Sequence, residues 1–174
     1  EINNTRAFVV LKDGKIVLEN YWGNNVLNTA PFDRNSNWYW ASAGKTLTAL
    51  MVGIAQEDGL LSIEDSSATY LGNGWTSLTA EQEGLIKIKH QLTMTTGLDY
   101  QVVNLNCTDP DCLSYKNTPG TNWFYHNATY SLLKDVIENA TETSYNEFTN
   151  QKVKIKIGMG GSWIQLNNSD TYYS

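Results

Sequence analysis

Residues 43–57 constrain the fold more than any other stretch of the chain. Leu47, Leu50, Met51, Ile54 and Ala55 fall at i, i+3, i+4, i+7 and i+8, an apolar stripe with the period of an α-helix. Asp58-Gly59 ends it, with Gly59 as a C-cap glycine. A stripe of this width has to be covered by other elements, so the sequence predicts a central, largely buried helix. Ser42 stands at its N-terminal edge, and Lys45 follows three residues on.

The neighbouring segments fit around such a helix. Ala7–Leu11 and Ile16–Leu18 flank Asp13-Gly14, a tight-turn signal, and predict a β-hairpin. Ile86 to Lys89 alternates, and a short helix is predicted from Gln91 to Thr95, stopped by Thr96-Gly97. Pro119-Gly120 introduces a loop. After it, Tyr130, Leu133, Val136 and Ile137 predict one helix over Ala128–Asn139. No repeat or low-complexity tract interrupts the 174 residues, which suffice for one domain with a sizeable core.

Composition narrows the function classes. The chain is 41% hydrophobic and 17% charged, the balance of a folded protein. Its net charge of −6 repels polyanions, so nucleic acid is not the expected partner. No apolar run reaches the roughly 18–20 residues that span a bilayer. Cys107 and Cys112 lack a nearby second pair of ligands, and His90 and His126 share no spacing with them, so neither a metal nor a cofactor is expected. A small disulfide loop across Asp109-Pro110 is preferred over two free thiols, and it points to a secreted or periplasmic protein.

"WYWASAGKTLTAL", Trp38 to Leu50, admits two readings. Gly44-Lys45-Thr46 has the ending of a phosphate-binding loop. The first glycine of such a loop falls at Tyr39, between Trp38 and Trp40, where aromatic bulk blocks close backbone approach to a phosphate. The other reading is Ser-x-x-Lys. Ser42 and Lys45 share a helical face. A serine hydroxyl becomes a nucleophile beside a base, and a lysine serves as that base once burial and neighbours favour its neutral form. The helix N-terminus suits a developing oxyanion. A serine at a helix start is more commonly a plain cap, so the motif is weak alone. Tyr125-His126-Asn127 adds a phenol and a carboxamide on one side of a loop, able to relay a proton and to anchor a lysine. Here too a bland reading exists, with Tyr125 packed and Asn127 capping the next helix.

Taken in order, "VVLKDGKIVLENYW", "SAGKTLTALMVGIAQEDGLLSIED", "IKIKHQLTMTTGLDY" and "PGTNWFYHNATYSLL" resemble the serine β-lactamase and penicillin-binding-protein superfamily, nearest to the class C-like hydrolases and esterases. "SYNEF" and "IGMGGSWI" fit as well. The resemblance implies an α+β, two-lobe fold in which an antiparallel sheet is flanked by helices beside a mainly helical lobe. It implies that Ser42 is the acylated nucleophile and Lys45 the base, or the group that sets the proton network. Tyr125 would act as acid and base toward the leaving group and the deacylating water, and Asn127 would orient Lys45 and the substrate. The Ser42 backbone N–H would supply half of an oxyanion hole, with His126 and His90 structural.

The superfamily's third motif, a Lys-Thr-Gly or His-x-Gly-like strand with the second oxyanion donor, has no match here. The expectation is therefore the N-terminal part of one catalytic domain with an incomplete sheet. About 1–40 would hold the first two strands and a connection, about 41–150 the nucleophile helix and helical lobe, and 151–174 the return toward a missing C-terminal half of the same protein, which a second chain could carry. The implied activity is a serine hydrolase acting through Ser42 on an ester, an amide, a D-Ala-D-Ala-type peptide or a β-lactam, with esterase or peptidase preferred to a dedicated β-lactamase. Without its C-terminal half, 1–174 is not expected to be competent. The alternative is a non-catalytic relative that binds peptidoglycan or glycan through Trp and Tyr side chains.

Overall fold

The computed structural model describes residues 5–166 and 170–173, and the chain divides into two compact units, with the boundary in sequence between Trp40 and Ala41. The N-terminal unit is built on strands β1 (Ala7–Lys12) and β2 (Lys15–Tyr21), paired antiparallel with Val10 opposite Leu18 and a bulge between Val10 and Leu11. Asp13 and Gly14 take φ of 50° and 73°, the left-handed pair that a two-residue hairpin turn requires. Phe8, Val9, Leu11, Ile16, Val17 and Leu18 are all exposed, so both faces of this hairpin present apolar side chains. In the following loop Trp38 stacks on Tyr39, meets Phe32 edge-on and receives the Arg6 guanidinium on its face at 4.8 Å.

The second unit is organised around α1 (Gly44–Glu57), entered through a 3-10 turn at Ala41–Ala43. Its end is a Schellman motif. The Gly59 N–H donates to Gln56 O and the Leu60 N–H to Ala55 O, with Gly59 at φ 75°. Leu47, Met51, Val52 and Ala55 are buried against Leu133, Val136, Ile137, Tyr145 and Phe148. The buried face is rotated from the predicted stripe: Leu50 is 49% exposed, whereas Thr48 is inside. A threonine is admitted there because its hydroxyl accepts from the Tyr145 hydroxyl at 2.7 Å.

Short helices surround α1: α2 (Ala68–Leu71), α3 (Ala80–Gly84), α4 (Ile88–Leu92), α5 (Asn127–Ser131), α6 (Leu133–Thr141) and α7 (Tyr145–Thr149). A π-helical turn at Asn150–Lys154 and α8 (Ile155–Ile157) lead to strands β3 (Trp163–Leu166) and β4 (Asp170–Tyr173), a second antiparallel pair. Three sequence expectations need correction. First, α4 starts before Gln91, because His90 Nδ1 accepts the Lys87 N–H at 3.1 Å and caps the turn; the expected alternation ahead of it is seen, with Ile86 and Ile88 buried and Lys87 and Lys89 half-buried. Second, the helix expected over Ala128–Asn139 is two segments, with Leu132 at ψ −13° tightening the join toward 3-10 geometry. Third, the chain carries more than the first two strands expected of it, since β3 and β4 pair within the 151–174 return.

Buried polar pairs tie these helices to the loops between them. The Glu83 carboxylate accepts from the Gly74 N–H, the Thr76 N–H and the Thr76 hydroxyl at 2.7–2.9 Å. The Ser67 hydroxyl donates to Gln91 Oε1, and Gln91 Nε2 donates to Thr129 O at 2.8 Å, which links α4 to α5. Cys107 and Cys112 are joined as a disulfide, and just before it Leu105 O accepts the Ala128 N–H at 3.0 Å. No helix among the described residues is long and apolar enough to cross a membrane.

Candidate active site

Ser42, Lys45, Tyr125 and Asn127, which lie 82 or 83 residues apart in two pairs, converge within the second unit. Ser42 occupies the 3-10 turn that opens α1. The residue before it, Ala41, has φ 46°, a left-handed conformation that costs a non-glycine residue roughly 1–2 kcal/mol. Lys45 sits one turn further, on the same face. Its Nζ donates to Asn127 Oδ1 at 2.9 Å and lies 3.4 Å from Ser42 Oγ. The Tyr125 hydroxyl donates to Ser42 Oγ at 2.7 Å. The shortest proton path from the serine oxygen therefore runs to the phenol, with the ammonium close enough to act through its charge.

The aromatic surroundings of Lys45 were not anticipated. Its Nζ lies 5.1 Å from the Tyr125 ring centroid and 5.6 Å from that of Tyr130, and the Tyr130 hydroxyl donates to Lys45 O at 2.8 Å. Tyr130 was legible as a core position of a helix; its second role, beside the lysine, depends on how α1 and α5 cross. None of the ion pairs among the described residues includes Lys45. Its neighbours are the Asn127 carboxamide oxygen, Ser42 Oγ and two phenol rings, none of which carries a counter-charge.

Tyr125 ionises more readily than an ordinary tyrosine. Partial burial alone pushes its pKa up, but the Ser42 hydrogen bond, the Lys45 hydrogen bond and the Lys45 charge together bring it below 10.0. Tyr130, with burial as the first cause and the Tyr125 charge as the second, is pushed up to about 12 and stays neutral. Two phenols at one lysine are thus driven in opposite directions, and the one that touches Ser42 is the one poised to exchange a proton.

The loop that carries Tyr125 is held by its alternate residues. Phe124 stacks on Tyr100 with ring centroids 3.9 Å apart, and its N–H donates to Met94 O at 3.0 Å. His126 is 3% exposed; burial lowers its pKa against the weaker pull of Asp99, so the imidazole is neutral and turned inward. Beside Ser42 and Lys45 lies a cavity of about 230 Å³, walled by Asn127, Ser131, Lys134 and the stacked pair Tyr145–Trp163. Lys134 at its edge is paired with Asp135 and Glu138. Among the described residues no group of three or more His, Cys, Asp or Glu side chains could hold a metal ion.

Comparison with known proteins bears on this arrangement. The family model described as Beta-lactamase matches residues 5–173. Penicillin-binding protein 4* of Bacillus subtilis (strain 168) is 31% identical over 146 residues, which are 74% of this chain and 31% of that protein. A putative β-lactamase from Bacteroides dorei DSM 17855 superposes with a TM-score of 0.75 at 21% identity, covering 93% of this chain and 49% of that one. A β-lactamase/D-alanine carboxypeptidase from Yersinia pestis does so with a TM-score of 0.70 at 20% identity, over 92% of this chain and 50% of that one. The structural neighbours share the β-lactamase/penicillin-binding-protein fold that the sequence resemblance implied. The chain spans about a third of the length of the curated relatives it matches.

Proposed function

The chain belongs to the Beta-lactamase family, and from that premise we propose that it carries the nucleophile side of a serine hydrolase site working through an acyl-Ser42 intermediate. One observation carries the reading. Ser42 Oγ is the hydrogen-bond neighbour of a phenol whose ionisation is favoured, while the adjacent ammonium is held on Asn127. Ser42 Oγ attacks the substrate carbonyl carbon, and its proton passes to Tyr125. The Lys45 charge stabilises the phenolate before transfer, and the Ser42 backbone N–H faces the developing oxyanion. As the bond to the leaving group breaks, Tyr125 returns the proton to the departing oxygen or nitrogen. Water then repeats the sequence on the acyl-serine, releasing the acid and restoring Ser42. The sum is one substrate and one water giving an acid and an alcohol or amine.

Esters, amides and peptides ending in D-alanine fit this chemistry, as do β-lactams, whose leaving nitrogen stays tethered. An ester or peptide substrate is preferred. We propose further that the rest of the protein supplies the second oxyanion donor and covers the apolar faces of the β1–β2 hairpin, and that the Cys107–Cys112 bond reflects a secreted or periplasmic protein. Burst kinetics on the complete protein test the reading. A chromogenic ester should release close to one equivalent of alcohol per protein before a slower steady state, and Ser42→Ala should abolish the burst. Binding of peptidoglycan or glycan without any turnover would favour the non-catalytic alternative instead.

A further inference from the structure

We propose that Trp123 forms a leaving-group subsite that takes a flat apolar ring, a deepening that rests on the acyl-Ser42 reading above. The site has two sides. The cavity beside Lys45 lies toward Asn127, Lys134 and Tyr145, and neither Tyr125 nor Trp123 is part of its wall. Tyr125 reaches Ser42 Oγ at 2.7 Å from outside that wall. A group that is protonated by Tyr125 as it departs has to lie on the Tyr125 side, so the acyl portion is left for the cavity.

The segment through Tyr125 alternates in burial. Phe124 is half-buried on Tyr100 and His126 is buried, whereas Trp123 is 67% and Tyr125 39% exposed. Burial thus alternates from Trp123 to His126, and His126 itself is extended at φ −114° and ψ 102°. In extended backbone, residues two apart share a face and stand about 6.6 Å apart. Trp123 is thus presented beside the catalytic phenol, at the distance where a ring attached to the departing oxygen or nitrogen would lie. Tryptophan is seldom this exposed, and an indole offers stacking area at little conformational cost. The Phe124 stack and its hydrogen bond to Met94 fix the segment, so the platform is preformed rather than swept through solvent.

The test compares two esters of one acyl group in the complete protein, one of a naphthol and one of an aliphatic alcohol of matched acidity. Trp123→Ala should lower kcat/KM for the naphthyl ester about tenfold more than for the aliphatic ester, and Trp123→Phe should recover most of the difference. The loss should fall on acylation, because deacylation takes place after the leaving group has gone. An unchanged ratio between the two esters, or an equal loss in acylation and deacylation, would overturn the subsite while a normal acyl-enzyme left the underlying reading intact. Absence of any acyl-Ser42 in the unmodified protein would sink that reading and the subsite with it.

Discussion

Ser42 has two hydrogen-bonding neighbours of different character, and the difference sets how the site should respond to pH. Lys45 is 3.4 Å away and committed to Asn127; Tyr125 is 2.7 Å away. Because Ser42 and Lys45 overcome the effect of burial and favour the phenolate, Tyr125 loses its proton below the ordinary value of 10.0. The form able to accept the serine proton therefore grows as pH rises. Acylation is expected to climb with pH along a limb whose midpoint lies below 10.0, and Tyr125→Phe to abolish that limb along with roughly 10²–10⁴-fold of the rate. A pH profile of kcat/KM checks both; an unchanged limb in Tyr125→Phe would remove the phenol from the proton path. The Ser-x-x-Lys and Tyr-x-Asn motifs were legible in sequence because each is local. The contact of Lys45 with Tyr130 was not, since no spacing rule brings position 45 to position 130.

At the level of elements, the site depends on how a loop is fastened. Gly97 has φ +77°, and its carbonyl accepts the Lys116 and Asn117 N–H groups at 2.9 and 2.8 Å. A Cβ at Gly97 would lie 2.1 Å from Asn117 O and 3.1 Å from Pro119 N, backbone atoms that cannot move without shifting the turn that leads to Tyr125. Gly97→Ala is expected to cost at least about 1–2 kcal/mol from the backbone conformation alone, seen as a lower urea midpoint, and to lower acylation with it. A variant with unchanged midpoint and rate would show that this loop does not position the phenol. The central helix, its C-cap and the first hairpin were legible because periodicity and turn chemistry are written in consecutive residues. The start of α4 and the join between α5 and α6 were not, because a side-chain cap by His90 and a tightened turn at Leu132 leave no periodic trace. Likewise Leu50 and Thr48 exchanged their expected places because a hydroxyl partner on Tyr145 makes the threonine the better core residue.

Across the whole molecule, the described residues bring Ser42, Lys45, Tyr125 and Asn127 together within one compact unit, yet leave a two-stranded hairpin apolar on both faces. The same chain covers about a third of the curated relatives' length. If the rest of the protein covers that hairpin, residues 1–174 alone should bind a hydrophobic dye strongly and the complete protein only weakly; equal dye binding would contradict the proposed covering. The most direct test of the account is the site of covalent labelling in the complete protein. After reaction with a fluorophosphonate or a labelled penicillin, intact mass should rise by one adduct and peptide mapping should place it on Ser42, with none formed in Ser42→Ala. An adduct on another residue, or one that survives in Ser42→Ala, would contradict the acyl-Ser42 mechanism.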